Sequence, residues 1–160
     1  MHEELRALLP LLDDVRRVTR AGREFHCARL HGEAVVLVQS GIGKVAAATT
    51  ATLLASEFDP KALLFTGVAG GLAPGVRVGD VVLARELLQH DMDASPLFPR
   101  YEVPLTGRSR FAADRALSNR LAVQAAAVEG APGAIDALRA TQQWQQGAQL
   151  LVHRTHDRDA

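Results

Sequence analysis

A valine-rich run from Glu33 to Gln39 passes through Ser40-Gly41-Ile42-Gly43 into Lys44 to Phe58, a stretch dense in alanine and leucine. No other feature constrains the chain as much. Glycines between an apolar run and a helical pattern free the backbone from side-chain sterics, and they mark a turn from strand to helix. Val45, Ala48, Leu53 and Leu54 are read as the apolar stripe of that helix, and Asp59-Pro60 as its end. Ala62 to Thr66 follows as a short apolar strand running into the turn Gly67-Val68-Ala69-Gly70-Gly71. Val78 to Ala84 is a further strand, entered through Gly79-Asp80. The order β-α-β-loop-β predicts an α/β fold whose sheet has parallel neighbours.

Upstream, Glu24 to Leu30 and Glu33 to Gln39 are joined at His31-Gly32, a pair suited to a tight β-hairpin. The spacing of Leu5, Leu8, Leu9, Leu11, Leu12 and Val15 predicts a helix over Glu3 to Val18, kinked or broken at Pro10. Downstream, Gln89 to Arg108 holds three prolines and no periodicity, which predicts a long irregular segment of the kind that often carries function. Arg110 to Glu129 reads as an alanine-rich helix. Beyond Gly130 glutamines cluster, the last residues are polar, and no strand signal stands out.

Composition narrows the chemistry. A chain of 160 residues, 48% hydrophobic and 22% charged, suits one globular domain. Eighteen basic residues balance eighteen acidic ones. No broad cationic surface is therefore available for nucleic acid or an anionic membrane, and a small-molecule ligand is expected. Cys27 is alone, which excludes a disulfide framework and paired zinc thiolates and makes it a small buried apolar residue. The six histidines form no pair at ligand spacing, so no metal site is expected. Without a leader pattern or an apolar run of roughly 18 residues, the expected compartment is the cytoplasm.

Taken alone, Ser40-Gly41-Ile42-Gly43-Lys44 is a weak motif, and a turn needed only for packing is as good a reading. It partly matches a dinucleotide fingerprint as Gly41-x-Gly43-x-x-Ala46, but the next strand ends in Phe65-Thr66-Gly67 without the acidic residue that would hold a ribose. A phosphate-binding Walker loop fails because Val38 and Val45 stand where glycine and a hydroxyl residue belong.

Three segments read together are more specific: Ser40-Gly41-Ile42-Gly43-Lys44-Val45-Ala46-Ala47, Thr66 to Pro74, and Val78-Gly79-Asp80-Val81-Val82. In order and spacing they resemble the nucleoside phosphorylase and nucleosidase superfamily. The likeness is greatest to its 5′-methylthioadenosine/S-adenosylhomocysteine nucleosidase branch, over roughly residues 1 to 125. The resemblance implies a three-layer α/β sandwich around a mixed sheet. It divides the chain into a partial nucleosidase-like domain over 1–129 and a diverged or poorly ordered tail over 130–160. It also implies a homodimer that hydrolyses the N-glycosidic bond of an adenine thio-nucleoside without metal or organic cofactor.

Site residues follow from the same resemblance. Met1-His2-Glu3-Glu4 matches a segment whose last glutamate positions the attacking water, which gives Glu4 that role. Without the resemblance, Glu4 reads as an ordinary acid in the first turn of a helix. Val68, Ala69 and Gly70 match the turn lining the nucleoside pocket, with Val68 replacing a hydroxyl residue common in relatives. His90 to Pro99 resembles the dimer-contact loop whose apolar side chains, here Phe98 and Leu97, reach the partner's pocket for the alkylthio group. Related phosphorylases carry an arginine where Phe65 stands, because phosphate needs a fixed cation. Phe65 therefore favours water as the nucleophile over the alternative of a purine nucleoside phosphorylase.

Relatives also have a glycine- and isoleucine-rich strand ahead of the Met-Glu-Glu-Glu segment. Later they carry a ribose-gripping glutamate and an aspartate that protonates adenine N7, help worth roughly 10²–10⁴-fold. None of these is found here. The expectation is of a fold incomplete at both ends, with a non-catalytic nucleoside-binding or dimerising remnant as the further alternative.

Overall fold

The computed structural model describes residues 2–67, 69–72, 74–77, 80–127, 135–137 and 148–154. The chain divides into two compact units, one of Met1–Ala69 with Trp144–Ala160 and the other of Gly70–Gln143.

The first unit opens with helix α1, His2–Leu8, and a 3₁₀ turn, Leu9–Leu11, with Pro10 in its first turn. Proline there removes a donor that a continuing α-helix would need. The predicted helix thus stops where Pro10 breaks it, and its second half is instead strand β1, Leu12–Arg20. Ala21-Gly22 reverses the chain into β2, Arg23–Leu30, and His31-Gly32 reverses it again into β3, Glu33–Gln39. Both turn residues of each pair have positive φ, at 47° and 73° and then at 52° and 84°. This is the signature of a two-residue hairpin whose twist matches its strands. The hairpin predicted at His31-Gly32 is borne out, and the one before it is new. Asp14, at φ 53°, marks a bulge where β1 and β2 slip register between Asp13 and Arg16.

Helix α2, Lys44–Phe58, has the predicted bounds and ends at Asp59 in a left-handed conformation before Pro60. Its buried face differs from the predicted stripe. Thr50, Leu54 and Phe58, four residues apart, point inward, whereas Val45 is 75% exposed and Ala48 is also exposed. That face meets β2 and β3 in a cluster of Phe25, Val36, Val38, Leu54 and Phe58, flanked by Cys27, Ala51 and Leu53. The rings of Phe25 and Phe58 stack with centroids 5.2 Å apart. Cys27 is half-buried against this cluster rather than fully buried.

Strand β4, Ala62–Gly67, completes the sheet, but not beside β3 as expected. A further strand, Ala148–Arg154, lies between them and pairs antiparallel with both, giving the order β1-β2-β3-β9-β4. Strands β3 and β4 therefore run parallel with this strand, β9, between them, and β9 lies where no strand signal stood out.

In the second unit, β5, Val82–Ala84, pairs parallel with β8, Ile135–Ala137, and packs on helix α3, Arg115–Ala127. Strands β6, Glu86–Leu88, and β7, Arg110–Ala112, pair antiparallel across the long irregular segment. The start predicted for the last helix is corrected by five residues. Asp114 caps α3 by accepting from Leu117 N at 2.8 Å, which leaves Arg110–Ala112 extended. The start predicted for β5 at Val78-Gly79 lies outside the described residues.

His26 lies on the face of β2 opposite Phe25. It is 2% exposed, its Nδ1 has no hydrogen-bond partner among the described residues, and its Nε2 is 3.2 Å from Glu24 Oε1. Burial lowers its pKa below the ordinary 6.5, outweighing the attraction of Glu24, and Arg17 lowers it further. The unfolded chain therefore holds this proton more tightly than the folded one. Stability is full above the ordinary value and declines as pH falls through it towards the lowered folded value. The urea midpoint is expected to drop between pH 7.5 and 5.5 in the parent and to change much less in His26→Leu. An equal drop in both would place the dependence on other groups.

Candidate functional site

Because β3 and β4 are both antiparallel to β9, their carboxyl ends lie at one end of the sheet. The register is specific: Gln39 of β3 and Thr66 of β4 flank the same residue, Gln149. The two ends therefore stand about two strand spacings apart, roughly 10 Å. From one emerges the Ser40–Gly43 loop and from the other the turn that begins at Gly67. Open α/β sheets characteristically bind ligands outside the carboxyl ends of parallel strands, where loops bring backbone donors together.

The first loop is built for close approach. Gly41 and Gly43 have φ of 84° and 92°, and Ile42 between them is 71% exposed. Gly43, the residue before α2, has ψ 161°, a combination open essentially to glycine, and no side chain caps the helix there. Below the loop the polar groups are buried. Ser40 is 1% exposed and its hydroxyl donates to Gly41 O at 3.1 Å, while Thr50, fully buried, reaches back to Ser40 O at 3.2 Å.

Glu4 lies on α1, which packs against β3 beside buried Leu5. Ala69 belongs to the same unit and is exposed two residues past the end of β4. Val68 lies outside the described residues. Gly70 and Phe98 belong to the second unit. Gly70 is exposed, and a Cβ on Gly71 beside it would come within 2.7 Å of Val76. Phe98 is half-buried and its N–H donates to Ala94 O at 3.2 Å, whereas neighbouring Leu97 is 84% exposed. In the same loop, the Ser95 hydroxyl and amide donate to Asp93 and hold its exposed carboxyl below the usual range, with Arg100 nearby. Among the described residues no group of three or more His, Cys, Asp or Glu is placed to hold a metal ion. No helix among them is long and apolar enough to cross a membrane.

The buried pair Ser40 and Thr50 was not among the residues the sequence singled out for the site. The available signal was Thr50 at four-residue spacing from Leu54 and Phe58 on a helix otherwise apolar on that face.

Two parallel strands with glycines at their carboxyl ends and a helix crossing between them define an α/β fold, and the comparisons specify which. Residues 1–141 match the Phosphorylase superfamily, and the chain belongs to that family. A 5′-methylthioadenosine/S-adenosylhomocysteine nucleosidase of Geobacillus thermodenitrificans is 39% identical over 135 residues, 84% of this chain and 57% of its own length. The enzyme of that name from Marinomonas is 44% identical over 95 residues, 59% of this chain and 41% of its own. Among solved structures, the Neisseria meningitidis nucleosidase in complex with methylthio-immucillin-A superposes with TM-score 0.73 at 33% identity, covering 84% of this chain and 58% of that one. A methylthioadenosine nucleosidase structure from Weissella paramesenteroides superposes with TM-score 0.75 at 38% identity. The chain spans about half the length of the relatives it matches. The expected phosphorylase/nucleosidase-like α/β fold and the family resemblance are both borne out.

Since nothing lies within 4 Å of a Cβ built on Gly43, replacing it with alanine isolates the backbone cost. Gly43→Ala is expected to lose about 1–3 kcal/mol in denaturant unfolding. An unchanged stability would contradict the conformation of the loop.

Proposed function

We propose that this chain acts on 5′-methylthioadenosine or S-adenosylhomocysteine, hydrolysing the N-glycosidic bond to release adenine and a thio-ribose. The observation that carries the reading is that the Ser40–Gly43 loop and the glycine that ends β4, Gly67, leave one carboxyl edge of the sheet, in a chain whose relatives are nucleosidases and include one solved with methylthio-immucillin-A. In this reading Glu4 positions the attacking water. Val68, Ala69 and Gly70 line the base and sugar, with backbone groups of Ala69 and Gly70 facing them and Val68 standing where many relatives carry a hydroxyl. Phe98, with exposed Leu97 beside it, supplies the apolar contact for the alkylthio group across a homodimer. The protein works in the cytoplasm on a small molecule.

Phe65 supports water rather than phosphate as co-substrate. It stands on β4, 40% exposed, at a position where an anion-holding site calls for a guanidinium. A phosphorolytic site would need that charge to bind and orient the second substrate.

Incubated with methylthioadenosine, the chain is expected to release adenine at a rate that phosphate does not raise. Glu4→Gln is expected to lower that rate by roughly 100-fold or more, the usual scale for a positioned acid-base group. Chromatography of adenine beside a heat-treated control checks both. A strict phosphate requirement would make the activity a phosphorylase, and no release from the folded chain would leave a nucleoside-binding remnant.

A further inference from the structure

Helix α2 carries three threonines whose hydroxyls all donate back one turn: Thr49 to Val45 O at 2.8 Å, Thr50 to Ala46 O at 2.8 Å and Thr52 to Ala48 O at 2.9 Å. A β-branched hydroxyl residue is a mediocre helix former, and such back-bonding adds little to a helix. Thr49 and Thr52 are exposed, and these two bonds stay within α2. Thr50 is fully buried among the core-facing positions, and its Oγ1 also lies 3.2 Å from Ser40 O, ten residues back and across the loop. Its proton is shared between the helix and the first carbonyl past β3. A buried hydroxyl at such a position is costly unless it is bonded; the helix carbonyl already satisfies it, and the second contact joins the helix to the loop.

That carbonyl is the base of the loop. Beyond it Gly41 and Gly43 hold positive φ and Ile42 projects into solvent, so past buried Ser40 and its hydroxyl bond to Gly41 O the loop's own side chains contribute little to holding it. A glycine loop gains freedom of backbone rotation on both sides of its tip, and it must be fixed from outside if its amides are to face a ligand in one place. We propose that Thr50 is a positioning residue. Its hydroxyl clips the Ser40 carbonyl to α2 and so sets where the Gly41–Gly43 backbone stands beside the turn that follows β4. The consequence for substrate rests on the nucleosidase reading above. The positioning itself does not.

The test uses the whole chain. Hydrogen exchange of the Gly41, Ile42 and Gly43 amides is compared in the parent, Thr50→Ser, Thr50→Ala and Thr50→Val, with Thr52→Val as control. Thr50→Ser keeps the hydroxyl and Thr50→Ala removes it, so this pair isolates the bond even if the valine variant does not fold. Loss of the hydroxyl is expected to speed exchange in the loop by about tenfold, the scale of one hydrogen bond, with Thr50→Ser and Thr52→Val close to the parent. Amides of β2 stay protected. With methylthioadenosine as substrate, Thr50→Ala then raises KM several-fold more than it lowers kcat, the pattern of a misplaced binding loop. Loop exchange unchanged in Thr50→Ala, or raised equally through β2 and α2, would overturn the proposal and leave Thr50 a core residue. Absence of turnover in the parent would sink the nucleosidase reading alone, and the exchange comparison then decides Thr50 by itself.

Discussion

The middle of the first sheet rests on a backbone requirement. Val35, Val36, Leu37 and Val38 are at most 5% exposed, so β3 cannot leave either edge to water. Its amides and carbonyls need protein partners on both sides. Strand β2 supplies one set through the hairpin, and β9 supplies the other over six residue pairs from Ala34 to Gln39. Strand β9 then pairs over six residues of β4, so the crossover through α2 returns to a sheet that is continuous only because β9 fills the gap. The relation between the two glycine-bearing loops, and hence the candidate site, depends on that one strand.

One edge of this sheet is protected in a way that follows from its sequence. Strand β1 carries Asp13, Asp14, Arg16, Arg17 and Arg20 on a mostly exposed surface and is bulged at Asp14. Charge and bulge together discourage another chain from adding on at that edge. Arg20 also reaches Glu57 near the end of α2 at 2.8 Å, tying the edge to the helix that covers the core. Because both groups are substantially exposed, that ion pair does more for alignment than for stability.

Local chemistry was legible where one residue type could satisfy only one geometry. His31-Gly32 as a hairpin and Lys44–Phe58 as a helix ended by Asp59-Pro60 both belong to this class, since positive φ and a missing donor leave few alternatives. Misreadings occurred where periodicity competed with another signal. Leu11, Leu12 and Val15 continue a helical spacing past Pro10, but Leu11 and Val15 end up exposed, Leu11 closing the 3₁₀ turn and the residues from Leu12 forming an edge strand. Val45 and Ala48 continue an apolar stripe on α2 that the buried Thr50 interrupts, because a hydroxyl bonded on the spot can lie inside where an apolar count expects none. Strand β9 could not be read locally, since its place is set by partners more than eighty residues away in sequence. Of the site, the glycine motifs were visible in the sequence, whereas the placing of Gln39 and Thr66 on either side of Gln149 is a property of register and appears in no single segment.

The loop after β3 carries few polar side chains. A ligand held at the carboxyl ends of β3 and β4 would meet Gly41, Gly43, Gly67 and the exposed apolar Ile42, so polar recognition there would fall to main-chain N–H and C=O groups, whose directions are fixed by the backbone alone. Such groups discriminate only as well as the backbone is held. The glycines that allow close approach also remove the steric limits that would hold it, and burial elsewhere must restore them. In this chain that task falls to buried hydroxyls and the stacked Phe25 and Phe58 beneath α2 rather than to charge, since the ion pairs between Arg and Asp or Glu side chains described here lie at the surface. A site of this construction answers to changes in packing under the loop more than to ionic strength, which acts mainly on exposed charges.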